Sequence, residues 1–376
     1  MGSVINAAIA TVSMASDQVL PPAPQPAKVV SRGYKVVEIA RGLNHPWSMA
    51  FLPDGSMLVT EQVGRLRLIK DGKLLAQPIG GVPPVLTGSQ AGLYDVVLHP
   101  GFAQNHLLYL TYAAGTRVAN GLRVARARFD GTHLQDLQVI FQALPLKDTD
   151  NHYGGRIAFL RDGTFALGIG EGFEYREKAQ DLSSDLGKIV RLNDDGTVPH
   201  DNPFVGQPSV RPEIYTWGHR NPQGLLFDAQ RGILYETEHG PRGGDELNII
   251  VAHRNYGWPV ITYGMDYSGA YVSPYMQRPG LEQPVIYWTP SIAPSGLAIY
   301  RGEKFPAWKG DLFAGALSFR HLRRIHLDEQ GNVVDQEQLL NDLRWRIRDV
   351  RAPADGYLYV CTDEDDGRVL RLEPAA

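Results

Sequence analysis

One cysteine, Cys361, stands in 376 residues, so an intrachain disulfide and a thiolate metal cage are both excluded. No apolar run is long enough to cross a bilayer as a helix. The net charge is −4 and no Lys/Arg-rich block interrupts the chain, which makes nucleic acid a poor candidate partner. The signals of several enzyme classes are missing too. HExxH, GxSxG, CxxC, the phosphate loop GxxxxGK[ST] and the dinucleotide loop GxGxxG do not occur. The usual marks of zinc hydrolases, serine nucleophiles, dithiol redox, nucleotides and nicotinamides are therefore absent.

Apolar residues are not lacking: at 43% hydrophobic and 21% charged, the chain can bury a large core. Its first 30 residues differ from the rest. "VINAAIATVSMAS" is weakly apolar and ends in small residues, and "LPPAPQPAK" reads as an extended linker. No Lys or Arg precedes Lys28, although a secretory signal needs a basic start. Residues 1–30 read as an export remnant or spacer, which implies a periplasmic or secreted protein.

Beyond residue 30, helix-period patterns are scarce, and alternating strands broken by Asp-Gly and Pro-Gly turns dominate. One phrase recurs: an apolar pair, a turn, and a strand ending in polar residues. It begins at Met49, Val96, Ile157, Leu225, Leu297 and Val350. Six copies spaced by roughly 45–75 residues predict an all-β fold, a six-bladed propeller of four-stranded antiparallel blades. Ring closure is expected between residues 34–40 and 368–374. A β-sandwich or two smaller β-domains are the alternatives, but no linker follows residue 30, so residues 31–376 read as one domain.

Several polar stretches fall where blades would meet the channel mouth. "TGSQAGLYDV" presents Gln90. "DNHYGGRIAF" sets His152 before two glycines, which would let a bulky ligand approach the backbone. "WGHRNPQGL" gathers His219, Arg220, Asn221 and Gln223. "ETEHGPRGGDELN" follows Gly240 and Pro241 with Asp245 and Glu246, oxygen donors of the kind that ligate Ca²⁺. "RWRIR" places Arg344, Arg346 and Arg348 on alternate positions, which in an extended strand share one face. They form either the wet side of an amphipathic strand or a clamp for an anion bearing several carboxylates or phosphates.

In their order, "GLNHPWSMAFLPDG", "NHYGGRIAF", "GHRNPQGL", "EHGPRGGDELN", "NYGWP", "FPAWKGDLFAGAL" and "RIRDV" resemble the soluble PQQ-dependent aldose sugar dehydrogenases of the glucose/sorbosone dehydrogenase family. The similarity runs from about residue 34 to 372. The resemblance implies a propeller that binds pyrroloquinoline quinone (PQQ) and Ca²⁺ at its channel mouth and oxidises aldose sugars at C1 to lactones for an external electron acceptor. It makes His152 the catalytic base, with Arg220 stabilising charge. Gln90, Arg220, Asn221, Tyr267, Arg346 and Arg348 become cofactor contacts. The carbonyls of Gly240 and Pro241 match the catalytic calcium site, and Glu246 with the Tyr256 carbonyl a structural one. Where family members often carry a lysine this chain has Ser318; Arg320, two residues along, would share its face in a regular strand. The rival readings are a calcium-dependent lactonase-type hydrolase and a non-catalytic sugar-binding propeller.

Overall fold

The computed structural model describes residues 27–30 and 33–375. Most of the expected leader or spacer, residues 1–26, lies outside the described residues. Its last part does not: Lys28–Val29 pair in parallel with Val333–Leu339 and add a fifth strand to one sheet.

Among the described residues six sheets follow one another along the chain; five are built from four consecutive antiparallel strands and the last from three. Their first strands are Pro46–Phe51, Leu93–Leu98, Gly154–Phe159, Pro222–Asp228, Pro294–Ile299 and Ile347–Arg351. These six pack side by side in a closed ring around a central channel. The architecture is a six-bladed β-propeller, and each copy of the recurring phrase spans a first strand, its turn and the second strand. The last blade takes its outer strand from the other end of the chain. Tyr34–Leu43 pairs antiparallel with Gly367–Pro374, Tyr34 opposite Pro374, as expected from sequence.

The core is divided among the blade interfaces. Six clusters of buried apolar side chains lie between adjacent blades, the one between the second and third also taking in Trp47 of the first. One blade can shield neither face of its sheet alone, so burial is complete only when the ring closes.

Two features of the ring shape the site. All six first strands slip register near their start, for example between Pro46 and Ser48, Leu93 and Val96, Pro222 and Gly224, and Ile347 and Asp349. Such bulges bend a strand and re-aim its side chains; here they turn Trp47, Tyr94, Gln223 and Arg348 into the channel mouth. Lower down, Arg156 and Arg351 interleave with Asp95 and Asp349. Arg156 Nη1 lies 3.0 Å from Asp349 and 3.3 Å from Asp95. Arg351 reaches the same carboxylates at 2.8 and 3.0 Å. This alternating square of charge forms a floor beneath the mouth, one residue along the strands from Tyr94 and Arg348, which border the cavity.

The regular alternation expected for "RWRIR" is not found. The strand begins only at Ile347, and Arg344 turns through a left-handed conformation, φ +56°. Arg344 is exposed, while Arg346 and Arg348 remain together on the inner side. Trp345 is half-buried against the apolar cluster of the last two blades, with the Arg368 guanidinium 4.4 Å from its ring.

Candidate active site at the channel mouth

The mouth opens into a cavity of about 1250 Å³, whose wall includes Gln90, Asn221, Pro241, Tyr267, Ser318, Arg346 and Arg348. Loops from widely separated parts of the sequence thus converge on one space.

On one side stand the arginines of the last blade. Asp363 receives Arg346 Nη2 at 2.9 Å and Arg348 Nη2 at 2.7 Å. His45 Nδ1 approaches the other oxygen of Asp363 at 2.8 Å. The Arg348 and Arg346 charges, with the His45 bond, hold the buried Asp363 carboxyl far below the usual carboxylate range. Two guanidiniums share one carboxylate, and Arg348 Nε has no partner. Anion-binding capacity is left over.

On the other side lies a buried His–Glu–Arg group. His152 is 4% exposed and Glu171 1%; His152 Nδ1 and Glu171 Oε1 are 3.2 Å apart. That contact is not aligned as a hydrogen bond and neither atom has a hydrogen-bond partner, while Arg220 Nε stands 4.0 Å from Glu171 Oε1. Burial lowers the His152 pKa; Glu171 opposes this, and the Arg220 and Lys147 charges reinforce it. The imidazole is therefore neutral at neutral pH, as a general base must be. Arg220 donates to the carbonyls of His239 at 3.0 Å and Gly240 at 2.6 Å. Its backbone N–H donates to Glu238 at 2.5 Å, and its carbonyl accepts the Glu171 N–H at 2.9 Å. Phe173 sets its ring edge-on to His152 and roughly parallel to Tyr267. His152 and Arg220 lie behind the cavity wall rather than in it.

Glycine makes this crowding possible. A Cβ on Gly170 would stand 2.4 Å from the His152 carbonyl oxygen and 2.8 Å from Asn221 Oδ1, so only glycine lets those two loops meet. Gly154 borders the cavity, although the Cβ positions of Gly154 and Gly155 are themselves taken. The room beside them is filled by the Gly168 carbonyl and the Tyr94 ring.

Gln90 accepts the His152 backbone N–H at 2.9 Å, and Gln223 donates to Asn221 Oδ1 at 3.2 Å. The strand ending at Ala316 stops before Ser318, so the shared face expected for Ser318 and Arg320 does not exist. Ser318 lies in the cavity wall, whereas Arg320 leaves it and donates to the Arg344 carbonyl at 3.2 Å.

Glu246 stands directly across the ladder from Glu238, and Glu236 across from Asn248. His219, Glu236 and Glu238 bring ligand atoms within 4.8 Å of one another, the single such group among the described residues. Burial, and then the Glu238 charge, push Glu236 and Glu246 well above the usual range. Glu236 Oε1 and Asn248 Oδ1 are buried without partners. Tyr256 closes this cluster by stacking its ring on His219 at 4.7 Å.

The family model described as Glucose / Sorbosone dehydrogenase matches residues 43–371. The chain belongs to the glucose/sorbosone dehydrogenase family. It is 43% identical over 343 residues to the aldose sugar dehydrogenase YliI of Escherichia coli K12, covering 88% of this chain and 91% of that one. The apo-form crystal structure of the soluble aldose sugar dehydrogenase from E. coli aligns over 91% of this chain and 100% of its own, with a TM-score of 0.88 at 42% identity. The PQQ-bound aldose sugar dehydrogenase of Streptomyces coelicolor aligns over 93% and 99%, with a TM-score of 0.75 at 31% identity. Family membership places the chain among dehydrogenases and leaves the hydrolase and non-catalytic readings without support.

Sequence reasoning missed Asp363, Glu171, Glu238 and Phe173. Each acts on a residue 15–21 positions away, and nothing in its own neighbourhood marks it.

Proposed function

We propose that this protein oxidises aldose sugars at C1 to lactones, with PQQ and Ca²⁺ bound at the channel mouth, and passes the electrons to an external acceptor. One observation carries the reading. Two guanidiniums that share a single carboxylate border the cavity, and directly behind its wall lies a buried, neutral histidine beside a glutamate.

The residues present suit the cofactor. A planar tricarboxylate needs several planar cations, and Arg346 and Arg348 would grip it while Gln90, Asn221 and Tyr267 border it. Arg220 Nε is a further buried donor without a partner. Ser318 contributes a neutral wall where Arg320 adds no charge. The Gly240 and Pro241 carbonyls would hold one calcium ion, although Gly240 already accepts from Arg220. Glu246 with Glu236, Glu238 and Asn248 offers the hard oxygen donors that a second calcium requires, with the Tyr256 carbonyl as the remaining expected ligand. When bound, the quinone would accept the hydride and calcium would polarise its oxygens.

The chain's own residues supply the rest. With its Nδ1–H turned to Glu171, the neutral His152 ring keeps the Nε2 lone pair free to take the proton of the sugar C1 hydroxyl. Arg220 keeps a fixed positive charge beside the site, where water cannot screen it. Action in the periplasm or outside the cell belongs to the same proposal; among the described residues no helix is long and apolar enough to cross a membrane.

The test adds PQQ and Ca²⁺ to purified protein and then offers an aldose and a dye acceptor. Dye reduction that needs all three additions, with lactone as product, is expected. Dye reduction without PQQ, or none with any aldose, would sink the reading.

A further inference from the structure

The loop that carries His152 is built around a buried cation. Lys147 is 2% exposed, and its backbone exchanges two hydrogen bonds with Asn120, both 2.8 Å. Its Nζ turns back onto its own chain and donates to the carbonyls of Thr149 at 2.6 Å and Asn151 at 2.9 Å. It also lies 3.5 Å from the centre of the Tyr153 ring. Tyr153 donates its hydroxyl to Asn120 at 2.6 Å, and Thr149 donates to the Gly172 carbonyl at 2.6 Å. Residues 148–153 thus wrap one ammonium group.

His152 sits on that wrap at φ +48°, a sparsely populated conformation for a residue with a side chain. Such conformations persist where the surroundings over-determine them. Here the over-determination is visible. The Asn151 carbonyl and the His152 N–H belong to one peptide group. Lys147 holds its oxygen at 2.9 Å, and Gln90 holds its nitrogen at 2.9 Å. The plane from which the imidazole projects is clamped at both ends.

We propose that Lys147 is a positioning residue for His152, fixing through the Thr149 and Asn151 carbonyls the peptide plane that aims the imidazole. This rests on His152 being the base of sugar oxidation, yet the coupling between the two residues can be read without turnover. Electrostatics adds to the geometry. The charged groups facing His152 are Glu171, Arg220 and Lys147, with neutral His239 also near. Lys147 disfavours the imidazolium, so removing its charge raises the His152 pKa. Around Lys147 itself stand Asp150, Glu171 and Asp148, against which burial still pushes its pKa down to about 7.

The experiment uses the full chain with Lys147→Met, Lys147→Gln and Lys147→Arg. Histidine ring proton signals are titrated by NMR in protein without cofactor or sugar, the His152 signal being identified by its loss in His152→Ala. Both neutral variants should titrate His152 at higher pH than wild type, and Lys147→Arg should restore the wild-type value. With PQQ, Ca²⁺ and aldose, the neutral variants should lose about ten- to a hundredfold in kcat with little change in KM, the scale of a misplaced catalytic group. An unchanged His152 titration in whichever neutral variant folds would overturn the proposal. So would a kcat that falls only in step with the folded fraction. If no variant, wild type included, oxidises sugar with PQQ, the functional reading fails while the titration still decides the coupling.

Discussion

Two arginine–aspartate groups lie one above the other in the channel, and they are built to opposite ends. In the floor, Arg156 and Arg351 meet Asp95 and Asp349, each guanidinium touching both carboxylates. Charge is balanced, and Arg156 and both carboxylates are buried, with only Arg351 partly exposed. At the mouth, Arg346 and Arg348 share Asp363 alone, and both border a cavity of about 1250 Å³. The same residue types give a floor when the charges pair off and a binding site when one carboxylate is missing. The floor also supports the mouth: Arg156 donates to the backbone carbonyls of Gln223 at 3.0 Å and Arg348 at 3.3 Å.

The sharpest way to break the comparison is to unbalance the floor. Arg156→Met leaves two buried carboxylates with one guanidinium, and removing one partner of a buried pair costs about 3–5 kcal/mol. A large fall in melting temperature is expected, with PQQ affinity of the folded fraction changed far less. A variant of wild-type stability would show that the square does not hold these strands together.

Next in size is the base. His152→Ala should keep the fold and bind PQQ but slow sugar oxidation by about two orders of magnitude or more. Because burial lowers the His152 pKa, the base is unprotonated above that value, and wild-type kcat/KM should fall only as pH drops through it. Single-turnover reduction of bound PQQ at the wild-type rate in the variant would remove His152 from the mechanism.

Opening the mouth should then cost affinity rather than fold. Arg348→Ala or Arg346→Ala removes charge-assisted hydrogen bonds worth about 1.5–3 kcal/mol. PQQ binding should weaken by about ten- to a hundredfold, with partial rescue by excess PQQ. Arg348 should matter more, because its side chain is 12% exposed against 38% for Arg346. Arg344→Ala, outside the wall, should change little. Equal, negligible effects at Arg346 and Arg348 would return the mouth to an ordinary charged surface.

The carboxylate cluster around Glu246 tests the same principle with the opposite sign. Its glutamates are crowded and short of cations, so calcium should raise the melting temperature of wild type through linked binding. Glu246→Ala should reduce that gain more than it reduces turnover. A melting temperature indifferent to calcium and to exhaustive chelation would refute the site.

Which of these features could be read from the sequence follows from where their signals lie. The ring was legible because one phrase recurs in six blades, and its closure because Tyr34–Leu43 and Gly367–Pro374 are both strand-like ends of the chain. The anion clamp was half legible: alternation grouped Arg344, Arg346 and Arg348, and only the family resemblance singled out the last two, because no local pattern announces the positive φ of Arg344 or a strand that begins at Ile347. The carboxylates that govern the site were not legible. Asp363 sits in "CTDEDD" and Glu171 in "GIGEGF", where nothing separates a buried partner from a solvated acid until the ring brings the loops together.

The smallest expected effect concerns the lysine that this chain lacks. Ser318 stands in the cavity wall between Leu317 and Phe319, its backbone N–H fixed to the Ile292 carbonyl at 3.0 Å. Arg320 was the natural substitute, but it follows the strand end in a left-handed turn, φ +56°, and spends its guanidinium on the Arg344 carbonyl. The mouth therefore lacks the cation that the resemblance implies at this position. Ser318→Lys should supply it and tighten PQQ by a few-fold, up to about tenfold, the scale of a single exposed charge–charge contact of about 1 kcal/mol. The gain is limited because the new ammonium would also face Arg346, whose Nη1 reaches the Leu317 carbonyl at 3.4 Å. Arg320→Ala is the control and should leave PQQ affinity as it was. PQQ titrations of both variants, read by holoenzyme formation, decide the matter: a loss of affinity in Arg320→Ala together with no gain in Ser318→Lys would mean that Arg320 swings into the mouth when an anion arrives.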